Sequence, residues 1–274
     1  MNRNFYILII LSFISLKGFC QTDAIKAMKY YELGLKLHSA HDYTNAGKEF
    51  DTALMNNPKF AMAYYYRALD KLYLKDINGS IDDNSKLIEL WPDYSSGYDN
   101  RGYSKFVLGD YEGAIKDYDK AILLNSKVAK AYMNRGGAKN RLGHYKEAKE
   151  DFNKALALNP ENADAYFNIG MSENGIEDSK AAIVAFDTAI KIRPNFEKAF
   201  LLRGTAKGLL GDHKGAVDDF NKCIELDPKD DWAYLDRGGE KFDNNDSAGA
   251  CADWTKAAQL GNETATDLLK EKCK

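Results

Sequence analysis

An aromatic ring recurs in this chain every 34 residues, at Tyr30, Tyr64, Tyr98, Tyr132, Tyr166, Phe200 and Tyr234. No insertion interrupts the period between positions 27 and 264, so the phase of one block fixes that of the other six. A period of roughly 20–50 residues kept this strictly means one supersecondary unit in successive copies, each burying its apolar face only against its neighbours. Length is therefore a poor guide to domain count. The 274 residues would suit one or two ordinary domains, but an array of small units has no single core.

The blocks begin at 27, 61, 95, 129, 163, 197 and 231. Position 8 is small throughout (Gly34, Ala68, Gly102, Gly136, Gly170, Gly204, Gly238), which is what a close approach of two helices requires. Position 20 is the facing small residue, Ala46, Ser80, Ala114, Ala148, Ala182, Ala216 and Ala250. Position 24 is aromatic at Phe50, Tyr118, Phe152, Phe186, Phe220 and Trp254, with Asn84 the exception; position 27 is small except at Leu87. Pro58, Pro92, Pro160, Pro194 and Pro228 at position 32 each stop a helix. Between the two helices of a block, Gly109, Gly143 and Gly211 suit a left-handed helix end, and Asp42, Asp76, Asp110, Asp178, Asp212 and Asp246 suit the cap of the next helix. Each block thus reads as helix, turn, helix.

This large/small pattern at a 34-residue period resembles the tetratricopeptide repeat family over residues 27–264. The resemblance implies an all-α fold: a right-handed superhelical solenoid of seven repeats, 27–60, 61–94, 95–128, 129–162, 163–196, 197–230 and 231–264. It also implies a concave groove, lined mainly by first helices and used to bind peptides or proteins. Block 2 departs most, through Asn84 and Leu87, so packing in its second helix is the weakest match. The stretch NETATDLLKEKCK reads as a final amphipathic helix, its end and tail over 265–274, with Ala265, Leu268 and Leu269 on one face to cover the end of the stack.

The N-terminus differs in kind. Arg3 precedes the apolar run FYILIILSFISL, and KGFC follows, the arrangement of a secretory signal peptide over 1–20 with cleavage after Cys20. The run is shorter than the roughly 20 apolar residues of a spanning helix, so no membrane span is expected in the mature chain. A lipid anchor on Cys20 is the alternative, against which bulky Phe19 counts. Residues 21–26 form a short segment before the first repeat. The expected location is exported, periplasmic or secreted. Removal of 1–20 leaves 36 basic against 41 acidic residues, a mild net −5 without a basic stripe, which argues against nucleic acid as partner.

At positions 7, 11 and 23, where the family commonly carries apolar or aromatic side chains, five blocks carry Arg, Lys and Asp: Arg67/Lys71/Asp83, Arg101/Lys105/Asp117, Arg135/Lys139/Asp151, Arg203/Lys207/Asp219 and Arg237/Lys241/Asp253. Block 5 loses all three together, having Ile169, Glu173 and Ala185. That joint loss implies the residues serve each other, each Asp on a second helix bridged by the Arg, and the Lys, of its own first helix. The other reading is a ladder of cations awaiting an anionic ligand.

Family geometry points positions 2, 5, 6, 9, 12 and 13 toward the groove. In blocks 2 and 3 these include Tyr65, Tyr66, Tyr73, Asn100, Tyr103 and Phe106; blocks 4 and 5 add Lys130, Met133, Asn134, Phe167 and Asn168. Asparagines repeating at position 6 can hydrogen-bond an extended backbone while aromatics bury its side chains. Equally, these residues can pack between first helices or face water. The carboxylate clamp of chaperone-binding family members is not expected: Asn100 and Lys130 match two of its elements, but Tyr65, Leu69 and Asn134 replace the others.

Cleavage would leave three cysteines. Cys223 sits at the small position 27 and reads as buried packing, whereas Cys251 and Cys273 occupy helix ends that meet in antiparallel neighbours, the spacing for a disulfide. His38, His41, His144 and His213 fall around turns without metal spacing and read as surface residues. No phosphate loop, nucleophile elbow or zinc-protease signature is present. No cofactor and no metal are expected. The function expected is a non-enzymatic protein-binding module using its groove; the alternative is a structural scaffold organising envelope complexes through its convex face or ends.

Overall fold

The computed structural model describes residues 22–273. The signal segment expected over 1–20, with its cleavage or lipidation at Cys20, lies outside these residues. Among the described residues the fold is all-α, an array of consecutive helix pairs without strands. The helices are α1 (22–39), α2 (Tyr43–Asn56), α3 (Ala61–Tyr73), α4 (Ile77–Leu90), α5 (Ser95–Val107), α6 (Tyr111–Leu124), α7 (Ala129–Arg141) and α8 (Tyr145–Leu158). There follow α9 (Ala163–Gly175), α10 (Ser179–Ile192), α11 (Glu197–Leu209), α12 (His213–Leu226), α13 (Asp231–Asp243), α14 (Ser247–Gln259) and α15 (Glu263–Lys272). They form two compact units, one ending at Lys127 and the other beginning at Val128. Residues 22–26 are helical and run into the first repeat as the opening of α1.

The turn inside each pair has one construction. The residue two before the second helix has positive φ: glycine at Gly109, Gly143 and Gly211 (φ +85, +78, +79), but His41, Lys75, Glu177 and Asn245 at the same phase (φ 62–65). One residue later, Asp42, Asp76, Asp110, Asp178, Asp212 and Asp246 each accept a hydrogen bond from the backbone N–H three positions on, capping the second helix. His144 stands at that position before α8 and makes no side-chain cap. The second helices end without needing proline: α6 stops at Leu124 although Ser126 occupies the position where most blocks carry Pro.

Packing within a pair rests on a glycine under a ring. A Cβ placed on Gly34, Gly102, Gly136, Gly170 or Gly204 would lie 2.5–2.8 Å from an atom of the ring sixteen residues later, Phe50, Tyr118, Phe152, Phe186 or Phe220. On Gly238 it would meet Trp254 at 2.5 Å. The rings are fully buried or nearly so and anchor successive apolar clusters, such as Phe152 with Ala148, Leu156, Ala165, Ile169 and Ala185. Their burial against small residues is the main stabilising term of each repeat that carries such a ring.

The second repeat satisfies the same volumes differently. Where other repeats put an aromatic over glycine, it has the smaller Asn84 and the larger Ala68, both fully buried. Asn84 Nδ2 donates to the Ser80 carbonyl at 3.0 Å, and Ser80 Oγ meets Ser104 Oγ at 3.0 Å. Leu87, too large for its position, is accommodated because Gly97 replaces the alanine found at that phase in later repeats; a Gly97 Cβ would lie 3.2 Å from Leu87 Cδ2. The departure is thus compensated by a neighbour.

At the C-terminal end α15 lays Ala265, Leu268 and Leu269 on a cluster containing Leu235, Trp254 and Ala257. Cys251 in α14 is disulfide-bonded to Cys273 after α15, with Cα atoms 5.8 Å apart. Cys223 is buried beside Phe200 and Ala233, and burial pushes its thiol pKa up, so it behaves as a core residue.

Candidate functional site

The cations of the repeated triplets are paired. Arg67 Nε and Nη2 donate to the two oxygens of Asp83 at 2.8 and 2.5 Å, and Lys71 Nζ approaches Oδ2 at 2.9 Å. The same fork joins Arg101 to Asp117, Arg135 to Asp151, Arg203 to Asp219 and Arg237 to Asp253. Lys105, Lys139, Lys207 and Lys241 complete them at 2.7–2.8 Å. The five carboxylates are buried, with side chains only 4–6% exposed. Each arginine also lies over the ring three residues before it, Tyr64, Tyr98, Tyr132, Phe200 or Tyr234, at 5.3–5.7 Å. That contact explains why aromatic and cation share a helix face.

A further contact was not anticipated from the sequence. Arg67 Nη1 reaches back to Asp51 at 2.5 Å, Arg101 Nη1 to Ser85 at 3.2 Å, Arg203 Nη1 to Asp187 at 2.5 Å and Arg237 Nη1 to Asn221 at 2.6 Å. Each partner sits sixteen residues before its arginine, on the second helix of the preceding repeat. The guanidinium therefore ties one repeat internally and also to its predecessor. In the fifth repeat Ile169 and Ala185 join the Phe152 cluster, while Glu173 turns to Lys149 of the preceding repeat at 2.8 Å. An apolar contact thus replaces the buried triad.

In the first unit, the residues expected at the groove divide into three groups. Tyr65 and Tyr66 meet edge-on at 5.1 Å; Tyr66 packs on Phe50, Tyr31 and His38, and Tyr65 on Tyr94, against which Trp91 stacks. Burial, then Tyr66 and Tyr94, push the Tyr31 hydroxyl up to about 12. Tyr73 stacks flat on Tyr43 at 4.4 Å. Phe106 meets Tyr111, Tyr103 is exposed, and the Asn100 amide is buried beside the Tyr65 hydroxyl, whose pKa burial raises and Asn100 partly lowers again.

In the second unit, Met133 packs against the Phe152 cluster, and Asn168 Nδ2 donates to the Asp164 carbonyl at 2.8 Å. Lys130 is exposed and Asn134 half-buried, and both have partners. Phe167 belongs to something larger. With Met171 it joins Leu201 and Leu202 of α11 and Trp232 of α13 in lining an open cavity of about 450 Å³. Met171 and Trp232 are 42% and 57% exposed although both are large and apolar. Leu201, Leu202 and Trp232 hold the groove-facing positions 5, 6 and 2 of the last two repeats, so the signal that found Phe167 would have found them too.

The same region is acidic. Glu197 and Asp230 rim this cavity; burial, then a shared hydrogen bond and the Asp230 charge, hold the Glu197 carboxyl above its usual range. Asp236, Glu240 and Asp243, at helical spacing on α13, line a second cavity of about 410 Å³ with Leu209, Leu235 and Leu268. Burial first, then Asp230 and Glu240, push the Asp236 carboxyl up to about 6.

Two histidines expected at the surface are not free there. His38 Nδ1 lies 2.5 Å from Asp70, whose side chain is fully buried, and His213 Nδ1 lies 2.7 Å from Glu240. Both sit beside turns, as expected, but stacking of the next first helix covers them. Among the described residues no group of three or more His, Cys, Asp or Glu side chains is placed to hold a metal, and no helix is long and apolar enough to cross a membrane.

Tetratricopeptide repeat models match residues 95–128, 129–162, 163–196 and 197–230. Residues 95–230 are therefore tetratricopeptide repeats, a class whose members typically serve as protein-interaction modules rather than enzymes. No curated protein matches it by sequence. Among solved structures it is similar to MamA, at 27% identity over 59% of this chain and 95% of that one, with a TM-score of 0.56. It is also similar to YrrB, described as a TPR protein with an unusual peptide-binding site, at 26% identity over 69% and 97% and a TM-score of 0.58. A tetratricopeptide repeat protein from Parabacteroides merdae covers more, 91% and 99%, with a TM-score of 0.69; at 19% identity that likeness shows the fold alone.

Proposed function

We propose that this chain is a non-enzymatic, exported module that binds a peptide or protein segment across the first helices of its last three repeats. The observation that carries the reading is the cavity of Phe167, Met171, Leu201, Leu202 and Trp232. Five large apolar side chains from three successive first helices border one opening, and two of them are left substantially exposed. Such a patch on a soluble surface marks an interaction site. The likeness to YrrB, at 26% identity, supports a peptide as ligand.

The test is affinity capture from the native host with the wild-type chain and with Leu201→Ala/Trp232→Ala. A partner retained by the wild type and lost by the variant, with helical content unchanged, is the expected result. A partner held equally by both would move binding to the convex face or the ends.

Export rests on the apolar N-terminal run and on the Cys251–Cys273 bond, which belongs to an oxidising compartment. Intact mass of the chain recovered from its host is expected to give an N-terminus at Gln21 and two protons fewer than the fully reduced form. An added lipid mass would place an anchor at Cys20, and a retained Met1 would overturn export by this signal.

A further inference from the structure

The cavity at Trp232 and the acidic cavity beyond it differ in chemistry; α13 lends Trp232 to the first and Asp236, Glu240 and Asp243 to the second. Glu197, Asp230, Asp236, Glu240 and Asp243 line the pair of them, against Lys198 as the single cation in either lining. His213 faces Glu240 from α12 and is the other basic group at the site. Asp236 feels the charges of both Asp230 and Glu240, so the carboxylates act on one another. Among the described residues no arginine or lysine forks onto Asp236 or Asp243 as Arg and Lys cover the buried aspartates of the triads. The apolar floor accounts for affinity, and the acidic line beside it selects by sign.

We infer that this surface takes an extended peptide segment bearing an apolar side chain and, a few residues later, a lysine or arginine. This rests on the binding site proposed above and adds the chemistry of its occupant. The apolar side chain enters among Phe167, Leu201, Leu202 and Trp232, and the cation reaches Asp236 and Asp243. From Trp232 to Glu240 is eight residues of helix, roughly 12 Å at 1.5 Å per residue, which an extended chain spans in about four residues. The preferred register is therefore an apolar residue with the cation three or four positions away. Acidic and phosphorylated segments are repelled by the same carboxylates.

The experiment uses three fluorescent decapeptides in one glycine–serine frame. Each carries two leucines followed, after two residues, by two lysines, two glutamates or two serines. Anisotropy against the full mature chain is expected to rank them lysine, serine, glutamate, with at least tenfold separating the first from the last and the gap narrowing at high salt. Asp236→Asn/Asp243→Asn should weaken the lysine peptide about tenfold and leave the serine peptide unchanged. Trp232→Ala should weaken all three. Equal affinity for the three peptides, with Trp232→Ala still weakening them, would overturn the charge selection and leave the groove standing. Peptides that bind but ignore Trp232→Ala would overturn the groove itself. Failure of the lysine peptide to bind at all would overturn the proposed occupant.

Discussion

Asp219→Ala is expected to lower the unfolding free energy by about 3–5 kcal/mol, the usual cost of removing one partner from a buried charge cluster. Asp219 is the shared acceptor of Arg203 and Lys207, and its loss leaves the Lys207 ammonium without a carboxylate and the partly buried Arg203 guanidinium held only by half-exposed Asp187. The fifth repeat offers the control, because it fills the equivalent positions with Ile169 and Ala185. The double variant Arg203→Ile/Asp219→Ala should therefore recover at least half of the loss. Asp187, released by the change, is half exposed and rehydrates at little cost. Urea unfolding of the wild type, the single and the double variant decides this. A double variant no more stable than the single would mean that the triad does not act by mutual neutralisation.

Two adjacent glycines give the second large contrast. A Cβ on Gly136 would lie 2.6 Å from Phe152 Cε1 in a buried contact, whereas one on Gly137 meets nothing within 4 Å. Overpacking costs about 1–3 kcal/mol and the gain in helix propensity from Gly to Ala is about 1 kcal/mol. Gly136→Ala is thus expected to destabilise by up to about 2 kcal/mol and Gly137→Ala to stabilise by about 0.5–1 kcal/mol. Thermal melts of the two variants should move in opposite directions. Stabilisation by both would show that the ring yields and that the close approach is not what selects glycine.

How much of this was legible in the chain depended on the range of the interaction. Helix ends and turns are local: an aspartate three residues before the N–H it caps, and a residue just ahead of it in the left-handed region, are readable wherever the period repeats. Lys75 and Glu177 hold that left-handed position without being glycine, so residue type alone under-reports the turn while the period does not. Arg203 and Asp219 share a block and are lost together in block 5, so covariation within one chain pointed to their contact. The reach of Arg203 to Asp187 was not visible, because it depends on how one repeat stacks on the next. The same holds for His38 against Asp70 and His213 against Glu240, whose neighbours lie 32 and 27 residues away.

The candidate site divides along the same line. Periodicity could place Phe167 and Trp232 at groove-facing positions, but it could not say that Tyr66 is occupied by Phe50 and Tyr31 while Trp232 is left exposed. The sequence by itself determined the repeating helix pair, since a large/small code at a fixed spacing has one economical way to bury its rings. Only the tertiary structure decided which aromatics are spent on packing and which remain to meet a partner. Accessibility depends on the neighbours brought together by stacking, and no residue carries that information alone.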